Sequence, residues 1–555
     1  MSGRFLRAFG PVLLLGAALL AGCRRPAEAP GGRFVYSLQA EPTTLNFVAG
    51  SDLSSVLVER LVSDFLVDHD SSLAVVPRLA ESWDFSDAGR TLTFHLREGV
   101  RFHDGVPLTS ADVVFTYERI IDPKSKALGR LDGFLPVEHV AAPDPRTVVV
   151  TYREPYAPAL RAWEVPILPA HRYRDADFEA APENRAPVGA GPFRFVAWDA
   201  GRRIVLRRND DYWGGRPSLD EFVFQFQPSL DTALMSLLSG DVDYAKLTPA
   251  AYATRREDRA FLSRYRVLTF TPLFFYYIAW RGDGSNPFFA DPAVRRALGL
   301  ALDRQGYVRS VLHGLGAPIS SPFAQLLPAA ETTMAAARFD PDEAARLLNA
   351  AGWKVERRGG LRTRGGRPFQ FTLLVFAGSE DHVQFAQVAQ DALARLGVEM
   401  RVERLDWPAL YARLKSGAFE AALSGFNPTP DPDSLYGMLH SSQVGGQNYA
   451  AYRDPEVDRW LDAGRRTPDS PARLALYRRV EERTATTQPY ACLFAPTVIG
   501  AINARFERAQ TSPQGILGHV PGALSIRLAG DAGVPPTVAP GRTGEGSRGA
   551  GAGGG

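Results

Sequence analysis

The stretch from Phe369 to Val402, FQFTLLVFAGSEDHVQFAQVAQDALARLGVEMRV, changes its hydrophobic period twice. FQFTLLVF, Phe369 to Phe376, is a short run of aromatic and aliphatic residues with the length of a strand. HVQFAQVAQDALARLG then places Phe385, Val388, Ala389, Ala392, Leu393 and Leu396 on one helical face, and Gly397 closes it. VEMRV returns to strand character. A strand, a covering helix and a second strand form the unit from which parallel sheets are built, so the expected fold class is α/β.

The same grammar extends outward. DPAVRRALGLALDR opens with Asp291 as N-cap and Pro292 in the first turn, with Val294, Ala297, Leu298, Ala301 and Leu302 on one face. DPDEAARLLNAAGW repeats the device with Asp340 and Pro341, and Glu343 is expected to complete a capping box. Asp454 and Pro455 open a third such helix. In TSADVVFTYERII, Thr109 caps, Asp112 closes the box, and Val114, Tyr117 and Ile121 are the expected apolar stripe. Leu92, Phe94 and Leu96 alternate in GRTLTFHLREG, the pattern of a half-buried strand. With 555 residues the chain exceeds what one core holds, since cores stop growing near ~250–300 residues. At least two α/β lobes are expected.

Charge is balanced, 63 basic against 61 acidic residues, which gives no electrostatic footprint for nucleic acid. Arg4 and Arg7 precede the apolar run PVLLLGAALLAG, which has the length of a signal-peptide core and is too short to span a bilayer. The run ends on LAGC, Leu20 to Cys23, which resembles a bacterial lipobox. That implies a leader over residues 1–22 and lipid on Cys23; an ordinary secretory signal with an incidental cysteine is the alternative. Residues 23–32 read as a flexible spacer and 531–555 as a disordered Gly-rich tail. Cys492, in the apolar YACLFAP, reads as a small buried hydrophobe.

Strings that carry chemistry are missing. GxSxG, HExxH, GxxxxGK[ST] and the EF-hand loop do not occur. GLGAPI at Gly314 starts like a dinucleotide fingerprint, but Ile319 stands where the third glycine belongs. His95 and His103 lie eight apart across a strand end and a turn, without the convergence that a metal pair needs. No catalytic residue, metal or cofactor is expected. The weight moves to a binding protein, with an extracytoplasmic hydrolase as the alternative.

Three blocks then carry a family resemblance. They are LAESWDFSDAGRTLTFHLREGVRFHDGVPLTSADVVFTYERI (Leu79 to Ile120), PVGAGPFRFVAWDAGRRIVLRRNDDYWGGRPSLDEFVF (Pro187 to Phe224), and DPAVRRALGLALDR with PDEAARLLNAAGW. They resemble the family 5 extracellular solute-binding proteins, the peptide- and nickel-binding lipoproteins of ABC importers. The resemblance implies a two-lobed, periplasmic-binding-protein-like fold of type II, cluster C. It implies three domains: residues 33–72, 191–270 and 496–530; residues 73–190; and residues 271–495. Ligand is expected between the first and third, which close by hinge motion. The implied partners are a peptide or small solute, a permease with its ATPase, and the membrane through the anchor. The implied setting is the periplasmic or extracellular side of the bacterial cell envelope, anchored through Cys23, with a monomeric receptor. A sensing receptor of the same fold without a transporter is a further alternative.

The site expected from the resemblance centres on LSGFNPTPDPDSL, Leu423 to Leu435. Its prolines rule out a helix interior, so it reads as a stiff, surface-reaching loop ending in two carboxylates. Peptide-binding members hold the ligand's ammonium with an aspartate here; this chain has Asn427 or Pro428, with Gly425 and Phe426 before and Asp431 after. Dipeptide-binding members place a carboxylate-binding arginine where this chain has FAGSE, Phe376 to Glu380. Free dipeptides are therefore not the expected solute. The expected cleft residues are Ser51, Trp407, Gly425, Phe426, Asn427 and Asp431. Trp407 reads equally as a core tryptophan, and Ser51 as plain loop chemistry.

Overall fold

The computed structural model describes residues 32–531 apart from 47, 51, 125–130, 175–176, 328–337, 358 and 469. The leader, Cys23, the spacer up to residue 31, Ser51 and the tail beyond residue 531 lie outside the described residues.

The strand–helix–strand reading holds. Gln370–Phe376 pairs in parallel with Glu399–Leu405, and the helix Glu380–Arg395 connects them. Its buried residues include Phe385, Ala389 and Leu393, as the spacing predicts. The helix is rotated slightly from the expected face: Ala386 is buried and Val388 is exposed. Five strands form this sheet, in the order Glu399–Leu405, Gln370–Phe376, Ala421–Phe426, Phe275–Trp280, Tyr490–Cys492. One apolar core lies on each of its faces, and Cys492 is buried in one of them.

A seven-stranded sheet gathers segments far apart in the chain. Its order is Tyr265–Phe270, Val498–Asn503, Tyr244–Leu247, Arg33–Leu38, Glu221–Phe226, Arg203–Arg208, Phe193–Asp199. The central Arg33–Leu38 runs parallel to both of its neighbours. A third sheet, of four antiparallel strands between Ala80 and Tyr152, covers its own core. Leu92, Phe94 and Leu96 point into that core, with exposures of 2% or less.

The aspartate caps form as read. Asp291 accepts from Ala293 N, Asp340 from Glu343 N and Asp454 from Glu456 N, each removing an orphan donor of the first turn. Thr109 and Asp112 make a complete capping box. Two details differ. Glu343 turns to an ion pair with Arg346 instead of closing a box. In the Ser110–Ile121 helix the buried face is Val113, Thr116 and Ile120, while Ile121 is exposed and Val114 and Tyr117 pack at the core's edge. The reason is polar: Thr116 Oγ1 and Asp112 accept from Leu168 N and Ala170 N, which draws that face inward.

The glycines of GAGP serve close approach. A Cβ on Gly189 or Gly191 would collide with the backbone of Val62 and Ser63, and Gly191 N donates to Val62 O at 2.8 Å. Tyr212 and Trp213 both donate to Asp64, which also receives Arg78, so the aromatics of the DDYWGG turn pack inside.

Candidate functional site

Three of the six expected cleft residues, Phe426, Asn427 and Asp431, line one cavity, and a second opens elsewhere. The first, about 470 Å³, takes one wall from the end of Ala421–Phe426 and the loop after it. Phe426, Asn427 and Asp431 line it together with Pro428, Thr429 and Asp433. The opposite wall is Phe134, Leu135, Tyr156 and Arg161, from the four-stranded layer and not from the seven-stranded sheet. The two layers touch beside it: Ala157 N donates to Arg465 O at 2.7 Å, and Arg466 pairs with Glu154 at 2.6 Å.

The two carboxylates of the proline-rich loop do not reach the surface. Asp431 and Asp433 are 8% and 5% exposed. Asp431 caps the turn Pro432–Leu435, and its carboxylate is held bidentately by Arg473 at 2.6 and 3.0 Å. Asp433 accepts from Arg465 Nε at 2.9 Å, and Arg465 lies flat over the Tyr436 ring. Burial pushes the Asp433 carboxyl above its ordinary range, against the pull of Arg465. Prolines stiffen the loop, but the two guanidiniums fold its acidic end inward. The Asp431 carboxylate is thus committed within the protein and does not present a free charge to a ligand.

Gly425 sits in the strand beneath Phe274, whose ring leaves no room for a Cβ. Trp407 is the first residue of the helix Trp407–Ser416 and is 49% exposed, so it is no core tryptophan. It stands edge-on to Phe376 and stacks on Tyr411, and it lines neither cavity.

The second cavity, about 330 Å³, opens at the C-terminal ends of the parallel strands Arg33–Leu38 and Tyr244–Leu247. Ser37, Gln39, Thr43, Asp52, Leu53 and Lys246 are among its lining residues, next in sequence to Ser51. Asp52 caps the helix Leu53–Val62 and accepts from Thr43 Oγ1 and Ser55 Oγ, both at 2.6 Å. Burial pushes its carboxyl up, but these hydrogen bonds outweigh that and hold it below its ordinary value. Sequence reasoning missed Lys246. Its one signal was a lone lysine inside the strand YAKL.

Among the described residues, Asp68, His69 and Glu164 converge closely enough to hold a cation. Asp68, however, takes Arg60 Nη2 on both of its oxygens, and Glu164 is engaged by His69 and Arg161. His103 has no lone pair to offer a metal with His95: its ring nitrogens meet Gly191 O and Gly189 N.

Comparison with known proteins decides the family. The model of the bacterial extracellular solute-binding proteins, family 5, matches residues 74–447. The chain belongs to that family. Protein XP55 of Streptomyces lividans is 34% identical over 469 residues, covering 83% of this chain and 82% of that protein. The oligopeptide-binding protein AppA of Bacillus subtilis is 31% identical over 510 residues, covering 87% and 92%. The solved structure of AppA, in complex with a nonapeptide, superposes with a TM-score of 0.76 over 90% of this chain and 99% of that one. NikA from Brucella suis, solved with Fe(III)-EDTA, shares the fold with a TM-score of 0.81 at 22% identity, over 89% of this chain and 99% of that one. A family 5 protein is a solute-binding protein, and no described helix of this one is long and apolar enough to cross a membrane. In this family 5 chain the matched region carries both walls of the first cavity and Lys246 of the second.

Proposed function

We propose that this protein is the receptor of an ABC importer, capturing peptides or a related small solute and delivering it to a membrane permease driven by an ATPase. The observation that carries this reading is the likeness to AppA, an oligopeptide-binding protein, along 92% of its length. The receptor works as three domains, over residues 33–72 with 191–270 and 496–530, over 73–190 and over 271–495, and it closes around its solute. It acts as a monomer outside the cytoplasmic membrane, held by acyl chains on Cys23. The solute is bound and released unchanged.

Asn427 and Pro428 carry no charge, and the neighbouring Asp431 is held by Arg473. A free ligand ammonium therefore meets no available carboxylate in the first cavity's loop. The preferred solutes are longer or N-blocked peptides rather than free dipeptides. Mass spectrometry of material co-purified from the native envelope tests the solute class, and recovery of peptides is expected. Calorimetry with a free peptide and its N-acetyl form tests the anchor. The reading predicts similar affinity for both; a strong preference for the free amine overturns it.

A further inference from the structure

Arginine dominates the basic residues of this chain, which has only five lysines. Of the four lysines among the described residues, Lys124, Lys354 and Lys415 are exposed on turns, a strand end and a helix end. Lys246 alone is drawn into the protein, in the strand Tyr244–Leu247, whose other residues are fully buried.

Its position makes the charge conspicuous. Tyr244, two residues before, stacks on Tyr36 in the core of the seven-stranded sheet. Lys246 follows on the same face and lines the second cavity. No hydrogen bond or ion pair engages its ammonium among the described residues. The nearby acids are committed elsewhere: Asp52 to Thr43 and Ser55, and Glu41 to Trp198 Nε1 and Gly201 N. Burial alone lowers the lysine's pKa, with no anion raising it again. Lys246 is partly buried, and an ammonium is a compact, strongly hydrated charge, so even partial withdrawal from water without a partner opposes folding. A hydrophobic residue or a paired arginine would serve the fold better. The cavity also lies where open α/β sheets take their ligands, beyond the carboxyl ends of parallel strands.

We propose that Lys246 is the receptor's anion anchor, the group that meets a carboxylate of the captured solute in the cavity beside Asp52. The inference rests on the solute-receptor reading above and deepens it. Recognition then has one cation held for a carboxylate, while the acids of the proline-rich loop, Asp431 and Asp433, are committed to Arg473 and Arg465. For a peptide that carboxylate is the C-terminus; for another small solute it is any carboxylate substituent.

The test uses the full chain with two substitutions, Lys246→Met and Lys246→Arg. The probe is a mixture of synthetic nonapeptides, N-acetylated throughout and made in two forms, with free C-terminal carboxylates and with C-terminal amides. Competitive retention of the two forms is read by mass spectrometry. The unsubstituted protein is expected to favour the carboxylate form by about tenfold to a hundredfold, the range for one charge-assisted hydrogen bond. K246R should keep part of that preference and K246M should abolish it. Equal retention of both forms by the unsubstituted protein overturns the anchor, and so does an undiminished preference in K246M. Retention of neither form overturns the peptide reading instead. The anchor is then decided by a second readout, the ¹³C signals of the reductively dimethylated lysines during titration with acetate against chloride. The signal missing from K246M should shift with acetate more than those of the exposed lysines. Lack of that shift overturns the anchor.

Discussion

The two cavities handle charge in opposite ways. In the first, most charges are matched: Asp431 with Arg473, Asp433 with Arg465, Glu164 with Arg161, and Asp132 is exposed along its lining. In the second, the acids are closed into local hydrogen bonds and Lys246 is left alone. A matched pair gives a wall its shape, and an unmatched charge gives it a specificity. The acids of the proline-rich loop thus shape the first cavity, while the cation open to a ligand lies in the second.

The sharpest way to break this comparison is to unmatch the first cavity. Asp431→Ala leaves Arg473 buried and without its carboxylate, and it removes the cap of the Pro432–Leu435 turn. The loss of stability should be about 3–5 kcal/mol, the usual effect of removing one partner of a buried pair. The double substitution D431L/R473M should recover much of it. Denaturant unfolding of the single and double variants measures both. A loss within a few tenths of a kcal/mol for D431A would show that the pair is not what shapes the wall.

A second, smaller effect separates groups kept neutral from groups kept charged. His103 and His382 are pushed down to about 4 by burial. His103 accepts from Gly189 N on Nδ1 and meets Gly191 O through Nε2, an arrangement that suits only the neutral ring. Folded, these rings bind fewer protons than unfolded, where the ordinary value of 6.5 applies. Stability is therefore intact above that value and is lost as pH falls from 6.5 towards 4, by up to about 3 kcal/mol for each ring. Thermal unfolding across that window, with His103→Gln as comparison, checks the sign. A melting temperature that rises on acidification would contradict it.

These contrasts also mark where sequence reasoning reaches. The helix over Glu380–Arg395 and its flanking strands are legible because periodicity reports burial directly. The caps at Asp291, Asp340 and Asp454 are legible because they satisfy donors two or three residues away. Reach fails with distance along the chain. Nothing in NPTPDPDS reveals that Arg465 and Arg473, more than thirty residues on, fold its carboxylates inward. The Val113–Thr116–Ile120 face escapes a local reading for the same reason: its partners at Leu168 and Ala170 are supplied by tertiary structure. Lys246 was visible only as an oddity of composition, since the missing partner is a property of the folded surroundings.

Lys246 should register in stability with the opposite sign from Asp431. K246M removes an unmatched ammonium, so the ligand-free protein should gain about 1 kcal/mol. The lowered pKa adds a pH signature. Between that lowered value and the ordinary 10.5, the unfolded chain binds more protons than the folded one. The unsubstituted protein therefore gains stability as pH rises through that window, and K246M does not. Parallel melts at neutral and alkaline pH test this, and a destabilised K246M would place the lysine among the structural charges instead.

Trp407 gives the smallest effect and a clean division between fold and function. Half its surface is in water, and it meets the rings of Phe376 and Tyr411. Trp407→Ala should cost about 1 kcal/mol or less, because little apolar area returns to water and Asp406 still caps the helix. If it covers solute when the lobes close, W407A lowers affinity for a retained peptide far more than it lowers the melting temperature. If both change together by a similar small amount, the ring serves only its two aromatic neighbours. Measuring the two quantities on one preparation separates a surface that waits for a ligand from one that is already complete.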